Sequence, residues 1–178
     1  LLELTAVWTV EQGTCPAEEK PLDWLLLTSA EVCSLDEARE VVFGYTLRWR
    51  IECFHKTWKT GACRIEETQL RSQHAVTLWA SLLGTVAARI ERLKFLSRSD
   101  PDKPASVEFD DYEIRALILL KRRQKKKTET VPDSMPTIAQ ATRWIADLGG
   151  YTGRSSGGPP GAITIQRGLN ELRPAAQF

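Results

Sequence analysis

SLDEAREVVFGYTLRWRIECFHKTWKTG, residues Ser34 to Gly61, reads as one long helix, and the rest of the chain is organised around it. Ser34 followed three residues later by Glu37 is a capping box, in which each residue satisfies a backbone N–H that the first helical turn leaves without a partner. No proline interrupts the run before Gly61, so the pattern predicts a helix over residues 35 to 59. At about 100° per residue from Tyr45, residues Phe43, Leu47, Ile51, Phe54 and Trp58 fall between about 160° and 240°, which makes an apolar stripe. Tyr45, Arg48, Trp49, Glu52, Lys56 and Lys59 gather on the opposite side, within about 60° of Tyr45.

That polar face presents a phenol, a guanidinium, an indole, a carboxylate and two ammonium groups along about 21 Å of helix. The length suits consecutive phosphates. Arg48 and Lys59 match phosphate oxygens in charge, and Tyr45 supplies a further hydrogen bond. Glu52 by itself repels a polyanion unless a divalent cation lies between them, so the carboxylate points to a metal. The same spacing is also that of a solvated face, with i,i+4 pairs Arg48–Glu52 and Glu52–Lys56 worth about 0.3 to 0.5 kcal/mol each. Periodicity alone leaves both open. His55 lies at the edge of this face, where a histidine satisfied by a neighbour is the ordinary outcome, and it is left out of the site.

Upstream, Leu2, Leu4, Ala6, Trp8 and Val10 alternate with Glu3, Thr5, Val7 and Thr9, the period of a strand over residues 1 to 10. After a loop with Gly13, Pro16 and Pro21, the run Trp24 to Thr28 reads as a short strand buried on both faces. Two strands make no stable sheet alone, so further strands are expected before Leu1. Leu1 opens inside an alternating run and the only methionine is Met135, so the chain is expected to be a fragment.

Downstream, Leu70, Val76, Leu78, Leu82, Leu83, Val86, Ile90 and Leu93 predict a second helix over residues 68 to 96, followed by a turn over 97 to 104. A third helix is expected over 110 to 123. A fourth is framed by Pro136 and Gly149–Gly150, and a Gly/Ser/Pro connector over 153 to 161 leads to a last amphipathic helix over 163 to 173. The class is α+β, predominantly helical.

With 178 residues, 42% of them hydrophobic and a net charge of +1, the chain has the composition of a soluble globular protein, and no apolar run approaches the roughly 20 residues of a membrane span. Net charge hides clustering, because residues 121 to 127 read KRRQKKK. That run fits a solvated loop or a secondary DNA contact. Cys15, Cys33, Cys53 and Cys63 have no CxxC spacing, and His55 and His74 form no HxxxH pair, which argues against structural zinc.

Tyr45-x2-Arg48-x3-Glu52-x6-Lys59 resembles the Y-R-E-K signature of the insertion-sequence transposases that include the Tn-five enzyme. PLDWLLLTS, YTLRWRIECFHKTWKTG, RWIADLGGY and the GPPGAI segment look like the same family, so the resemblance covers nearly the whole chain. It implies the C-terminal part of a DDE transposase. Residues 1–96 would be the end of an RNase H-like catalytic domain, with two strands and the Y-R-E-K helix, and residues 97–178 a helical dimerisation domain.

In such enzymes two aspartates and a glutamate hold Mg2+ or Mn2+, which serve cleavage, hairpin formation and joining of DNA. Glu52 matches the glutamate; both aspartates are expected upstream of Leu1, which would leave this fragment inactive on its own. The resemblance implies that Tyr45, Arg48, Lys59, Trp24, Trp49, Lys56 and Arg64 touch transposon-end DNA. Trp24 takes the position of a wedge for a base swung out of the stack, although a tryptophan in an apolar strand is also an ordinary core residue. Arg64 is equally placed for a phosphate or a surface ion pair. Ile165, Leu169 and Leu172 would form the seam of a homodimer. Target DNA is the second expected partner, no membrane is expected, and the location is the bacterial cytoplasm at the nucleoid. The alternative is a non-catalytic DNA-binding or regulatory module acting through dimerisation.

Overall fold

The computed structural model describes residues 3–13, 16, 18–124, 131–154 and 157–175, in two compact units, Leu1–Glu52 and Cys53–Phe178. Lys125, Lys126 and Lys127 of the basic run lie outside the described residues.

The first unit is a hairpin and a helix. Strands β1 (Thr5–Val10) and β2 (Asp23–Thr28) pair antiparallel with Val7 opposite Leu26 and Trp8 opposite Leu25. Val7 and Leu26 are the buried residues, and helix α1 (Leu35–Thr46) packs on both strands. Strand periodicity explains the rest: Leu25 and Leu27 point to the other side and are 67% and 66% exposed. The expectation of a strand buried on both faces is thus corrected, since one helix covers one face. The first strand is also shorter than the alternation predicts, starting at Thr5.

The capping box forms as read. Ser34 accepts from the Glu37 N–H at 3.2 Å, and the Glu37 carboxylate accepts from the N–H groups of Ser34 at 2.8 Å and Cys33 at 2.7 Å. The single helix over 35 to 59 is corrected to two, α1 and α2 (Arg48–Lys59), with Leu47 between them. The cause is local. The Thr46 hydroxyl donates to the Phe43 carbonyl at 2.6 Å, the Leu47 N–H is shared between the carbonyls of Phe43 and Gly44, and the Arg50 N–H reaches only three residues back to Leu47. A side-chain hydroxyl competing for a helical carbonyl beside a glycine is a recognised origin of such breaks.

The second unit is helical. After a short 3-10 turn at Ile65–Glu67 come α3 (Gln73–Ser99), α4 (Asp111–Gln124), α5 (Ile138–Leu148) and α6 (Ala162–Ala175). Helix α3 begins at Gln73 and not at residue 68, because Ser72 caps it through the Ala75 N–H. Helix α5 has a second capping box, Thr137 with Gln140. Its core joins Ile90 and Leu93 of α3, Ile114 and Leu117 of α4, Ile138 and Ile145 of α5, and Ile165, Leu169 and Leu172 of α6.

Helices α5 and α6 approach closely at two glycines. A Cβ on Gly168 would lie 1.7 Å from the Ile145 carbonyl oxygen, and one on Gly149 would lie 1.9 Å from that of Thr164. Lys121, first residue of the basic run, is buried and pairs with Asp147 at 2.9 Å, while Arg122 pairs with Asp133. No described helix is long and apolar enough to cross a membrane.

Candidate functional site

In the first unit, β2, α1 and the start of α2 bring together four of the residues singled out from sequence. The Trp24 and Tyr45 rings meet edge to face, with centroids 5.0 Å apart and planes at 67°. The Arg48 guanidinium lies 5.6 Å from the Tyr45 ring centroid and places Nη1 2.5 Å from Glu52 Oε1. Trp24, Tyr45, Arg48 and Glu52 therefore form a continuous series of aromatic, cation–π and ionic contacts. Its local origin is that Tyr45 is in the last turn of α1 while Arg48 opens α2, with Glu52 one turn further on.

Arg48 is held even more firmly protonated than usual by its hydrogen bond to Glu52 and the attraction of that carboxylate. Both side chains are about half exposed, so the pair is accessible to a ligand that competes for either partner. The Arg48–Glu52 half of the ion-pair alternative is therefore present. Trp49 is exposed and, among the described residues, has no ring partner. A cavity of roughly 450 Å³, lined by Leu25, Leu26, Leu27, Thr28, Val41 and Tyr45, opens beside the same strand.

The second unit contains the remaining cations. Lys56 and Lys59 are exposed in the last turn of α2, and among the described residues neither is in an ion pair. His55 belongs to an aromatic group, its ring 5.7 Å from Phe54 and 6.4 Å from Trp58. Arg64 has a left-handed backbone (φ 50°) and pairs with Glu67 at 2.7 Å. The surface ion pair is thus the contact that Arg64 makes within the chain.

Sequence reasoning passed over what anchors this turn. Thr57 is the buried residue of α2, and its hydroxyl donates to Glu91 of α3, whose carboxylate also accepts from Lys94. The Trp58 indole N–H donates to the Ala80 carbonyl at 3.1 Å. The partners are 34 and 22 residues away, so no local spacing announces them.

For a metal, the donor set is decisive. Among the described residues no group of three His, Cys, Asp or Glu side chains is placed to hold an ion. Glu52 offers one carboxylate, with Oε1 already on Arg48, and one such ligand does not cage two ions. The residues present do not by themselves fit a two-ion centre.

The three residues expected at a dimer seam are buried within the chain. Ile165, Leu169 and Leu172 are 0%, 7% and 1% exposed and pack inside the second unit. An i, i+4, i+7 apolar stripe looks the same whether it faces the chain's own core or another subunit, and here it faces the core. The exposed residues of α6 are Ile163, Arg167, Asn170, Glu171, Arg173 and Pro174.

Comparison with known families gives two matches. Residues 85–176, just over half the chain, match the model described as Transposase Tn5 dimerisation domain. Residues 31–88 match the one described as Transposase DDE domain. The matches overlap within α3 and take in every described helix, while the hairpin with Trp24 lies outside both.

Proposed function

This chain belongs to the Tn5 transposase dimerisation domain family and is a C-terminal part of a Tn5-like DDE transposase, and we propose that it supplies the glutamate and the transposon-end grip of a metal-dependent DNA transposition centre. In this reading residues 1–96 end an RNase H-like domain and residues 97–178 make a dimerisation domain. Glu52 is a ligand to Mg2+ or Mn2+ in a site completed by two aspartates outside this chain. Arg48, Tyr45, Lys59, Lys56 and Arg64 contact transposon-end DNA, and Trp24 and Trp49 meet an unstacked base. A homodimer brings two DNA ends together, with α6 at or near the contact.

The observation that carries the proposal is the contact series Trp24–Tyr45–Arg48–Glu52, which puts an aromatic surface, a fixed cation and a carboxylate in sequence on one half-exposed surface. Arg48 lies between the carboxylate and the ring, so a phosphate that takes Arg48 frees Glu52 Oε1 for a cation. The bound ions would polarise a phosphoryl oxygen and lower the proton affinity of the attacking hydroxyl. The chain itself contributes orientation and charge, and it is expected neither to nick nor to join DNA alone.

The test is duplex binding measured by fluorescence anisotropy over a range of salt. Arg48→Ala and Lys59→Ala should each weaken binding and lower the slope of log K against log salt by about 0.9 per lost phosphate contact. Unchanged affinity in both variants would refute the DNA grip. Magnesium-dependent cleavage of a transposon-end duplex by the purified chain would overturn the shared metal site. Loss of transposition on Glu52→Gln in an enzyme that retains both aspartates selects the catalytic role; retention of activity there selects a DNA-binding or regulatory module.

A further inference from the structure

Thr57 ties the last turn of α2 to its surroundings from two sides. Its hydroxyl donates to Glu91 Oε1 on α3, and its carbonyl accepts the Cys63 N–H at 3.0 Å as the chain leaves the helix. The Lys56 carbonyl accepts the Gly61 N–H at 2.8 Å in the same bend, so the turn is closed on itself just where it meets α3. Lys94 Nζ lies 2.7 and 2.8 Å from the two Glu91 oxygens, which fixes the carboxylate that receives Thr57. All of these groups belong to the second unit. Thr57 is 3% exposed, and Glu91 and Lys94 side chains are less than one-fifth exposed.

A hydroxyl on a mostly buried, charge-paired carboxylate is a directional contact, unlike the apolar packing that holds most helices together. On α2 it sets rotation about the helix axis. Lys59 follows Thr57 by two positions, about 200° around the helix, so holding Thr57 inward against α3 turns Lys59 outward. Trp58, between them, adds its indole bond to the Ala80 carbonyl. Lys59 itself is exposed at the end of α2, so the helix face it leaves from is set by the rotation of that last turn.

We propose that Thr57, Glu91 and Lys94 are positioning residues that fix the aim of Lys59 toward DNA, an inference that rests on the DNA-binding role proposed above. None of the three touches the ligand. They act through the rotational setting of the last turn of α2.

Thr57→Val keeps the shape and removes the donor, and Lys94 still pairs both Glu91 oxygens, so the carboxylate is not left without a partner. In the 178-residue chain, Thr57→Val should weaken duplex binding about three- to tenfold and lower the salt slope by about 0.9, the signature of one phosphate contact. Thr57→Ser should restore both. In a Lys59→Ala background Thr57→Val should add nothing, because the contact it positions is already gone. Amides of residues 56 to 61 should exchange about tenfold faster in Thr57→Val, with the α3 and α5 core unchanged.

Failure separates the two ideas. If Lys59→Ala binds like the parent, the DNA role of Lys59 fails, and the exchange result alone decides whether the latch holds the turn. If Lys59→Ala weakens binding and Thr57→Val does not, or if Thr57→Val weakens it equally without Lys59, the positioning role is overturned. Unchanged amide exchange in Thr57→Val overturns it outright.

Discussion

Arg48 Nη1 sits 2.5 Å from Glu52 Oε1, one turn further along α2, so the carboxylate of the Y-R-E-K series is paired within the chain. An exposed i,i+4 pair of this type contributes little to stability, which makes it an interaction that a phosphate or a cation displaces readily. The pair is better understood as a resting arrangement of the site than as a support of the fold.

Glu52→Gln removes the negative charge facing the phosphates and releases Arg48 from its strongest local competitor. Duplex affinity in EDTA should rise several-fold, and the salt slope should steepen by about 0.9 as Arg48 takes a full phosphate contact. Melting temperature should barely move. Weaker binding by Glu52→Gln under those conditions would show that the carboxylate supports the DNA grip without an ion.

The start of α1 should be sensitive to acid. Hydrogen bonds from the Cys33 backbone, the Ser34 side chain and the Ser34 backbone hold the Glu37 carboxyl below its ordinary range, 4.5 in the unfolded reference. A lowered folded-state pKa means that this contribution to stability is fully present above the unfolded value and is lost as pH falls through the folded one. Amides of residues 35 to 38 should therefore gain exchange rate relative to the rest of α1 as pH drops below the carboxylate range, after correction for intrinsic rates. Ser34→Ala should cost about 1 kcal/mol at neutral pH and reduce the acid dependence in part, because the Cys33 and Ser34 N–H groups still donate to Glu37. An acid response identical in Ser34→Ala and parent would remove the capping box as its source.

These two features also mark what is legible in a sequence. The Ser34–Glu37 box and the Arg48–Glu52 pair join residues three and four apart, and local spacing is sufficient to find them. The Thr137–Gln140 box has the same signature, yet Pro136 drew attention to the helix start in its place. The break at Leu47 depends on whether a threonine hydroxyl competes for the Phe43 carbonyl, which periodicity does not report. Leu25, Leu27, Ile165, Leu169 and Leu172 show the complementary limit: apolar spacing identifies a face but not what covers it. Thr57 and Glu91 meet only because α2 and α3 pack, and their contact is invisible until the fold is known.

Within the core, Thr142 is 2% exposed and, among the described residues, its hydroxyl has no hydrogen-bond partner. A buried hydroxyl without a partner loses its hydration with no return, whereas valine fills nearly the same volume. Thr142→Val should raise stability by about 1 kcal/mol in urea denaturation, with an unchanged m-value. A loss of stability would mean that the hydroxyl is satisfied in solution.

The α5–α6 contact has no such tolerance. The Gly168 position puts any Cβ within 1.7 Å of the Ile145 carbonyl oxygen, a backbone atom that moves only if the helices separate. Gly168→Ala ordinarily gains helix propensity of about 1 kcal/mol, and here the clash should overwhelm it. We expect a net loss above about 3 kcal/mol, of the size that marks overpacking of a core, measured as a lower urea midpoint. A variant as stable as the parent would show that the helices are free to move apart.

The last prediction concerns the helix expected to hold two subunits together. Leu169 and Leu172 are buried against the second unit's own helices, so truncating them creates cavities inside one chain. Leu172→Ala should cost about 2 to 5 kcal/mol of unfolding free energy at a protein concentration where the chain is monomeric. Residues on the exposed side of α6 should behave in the opposite way. Ile163 is 48% exposed, so Ile163→Asp should leave unfolding of the monomer nearly unchanged while weakening self-association, followed by sedimentation equilibrium. If Leu172→Ala shifted only the monomer–dimer equilibrium, the leucines would be at the subunit contact after all, and α6 would have to leave the core on dimerisation.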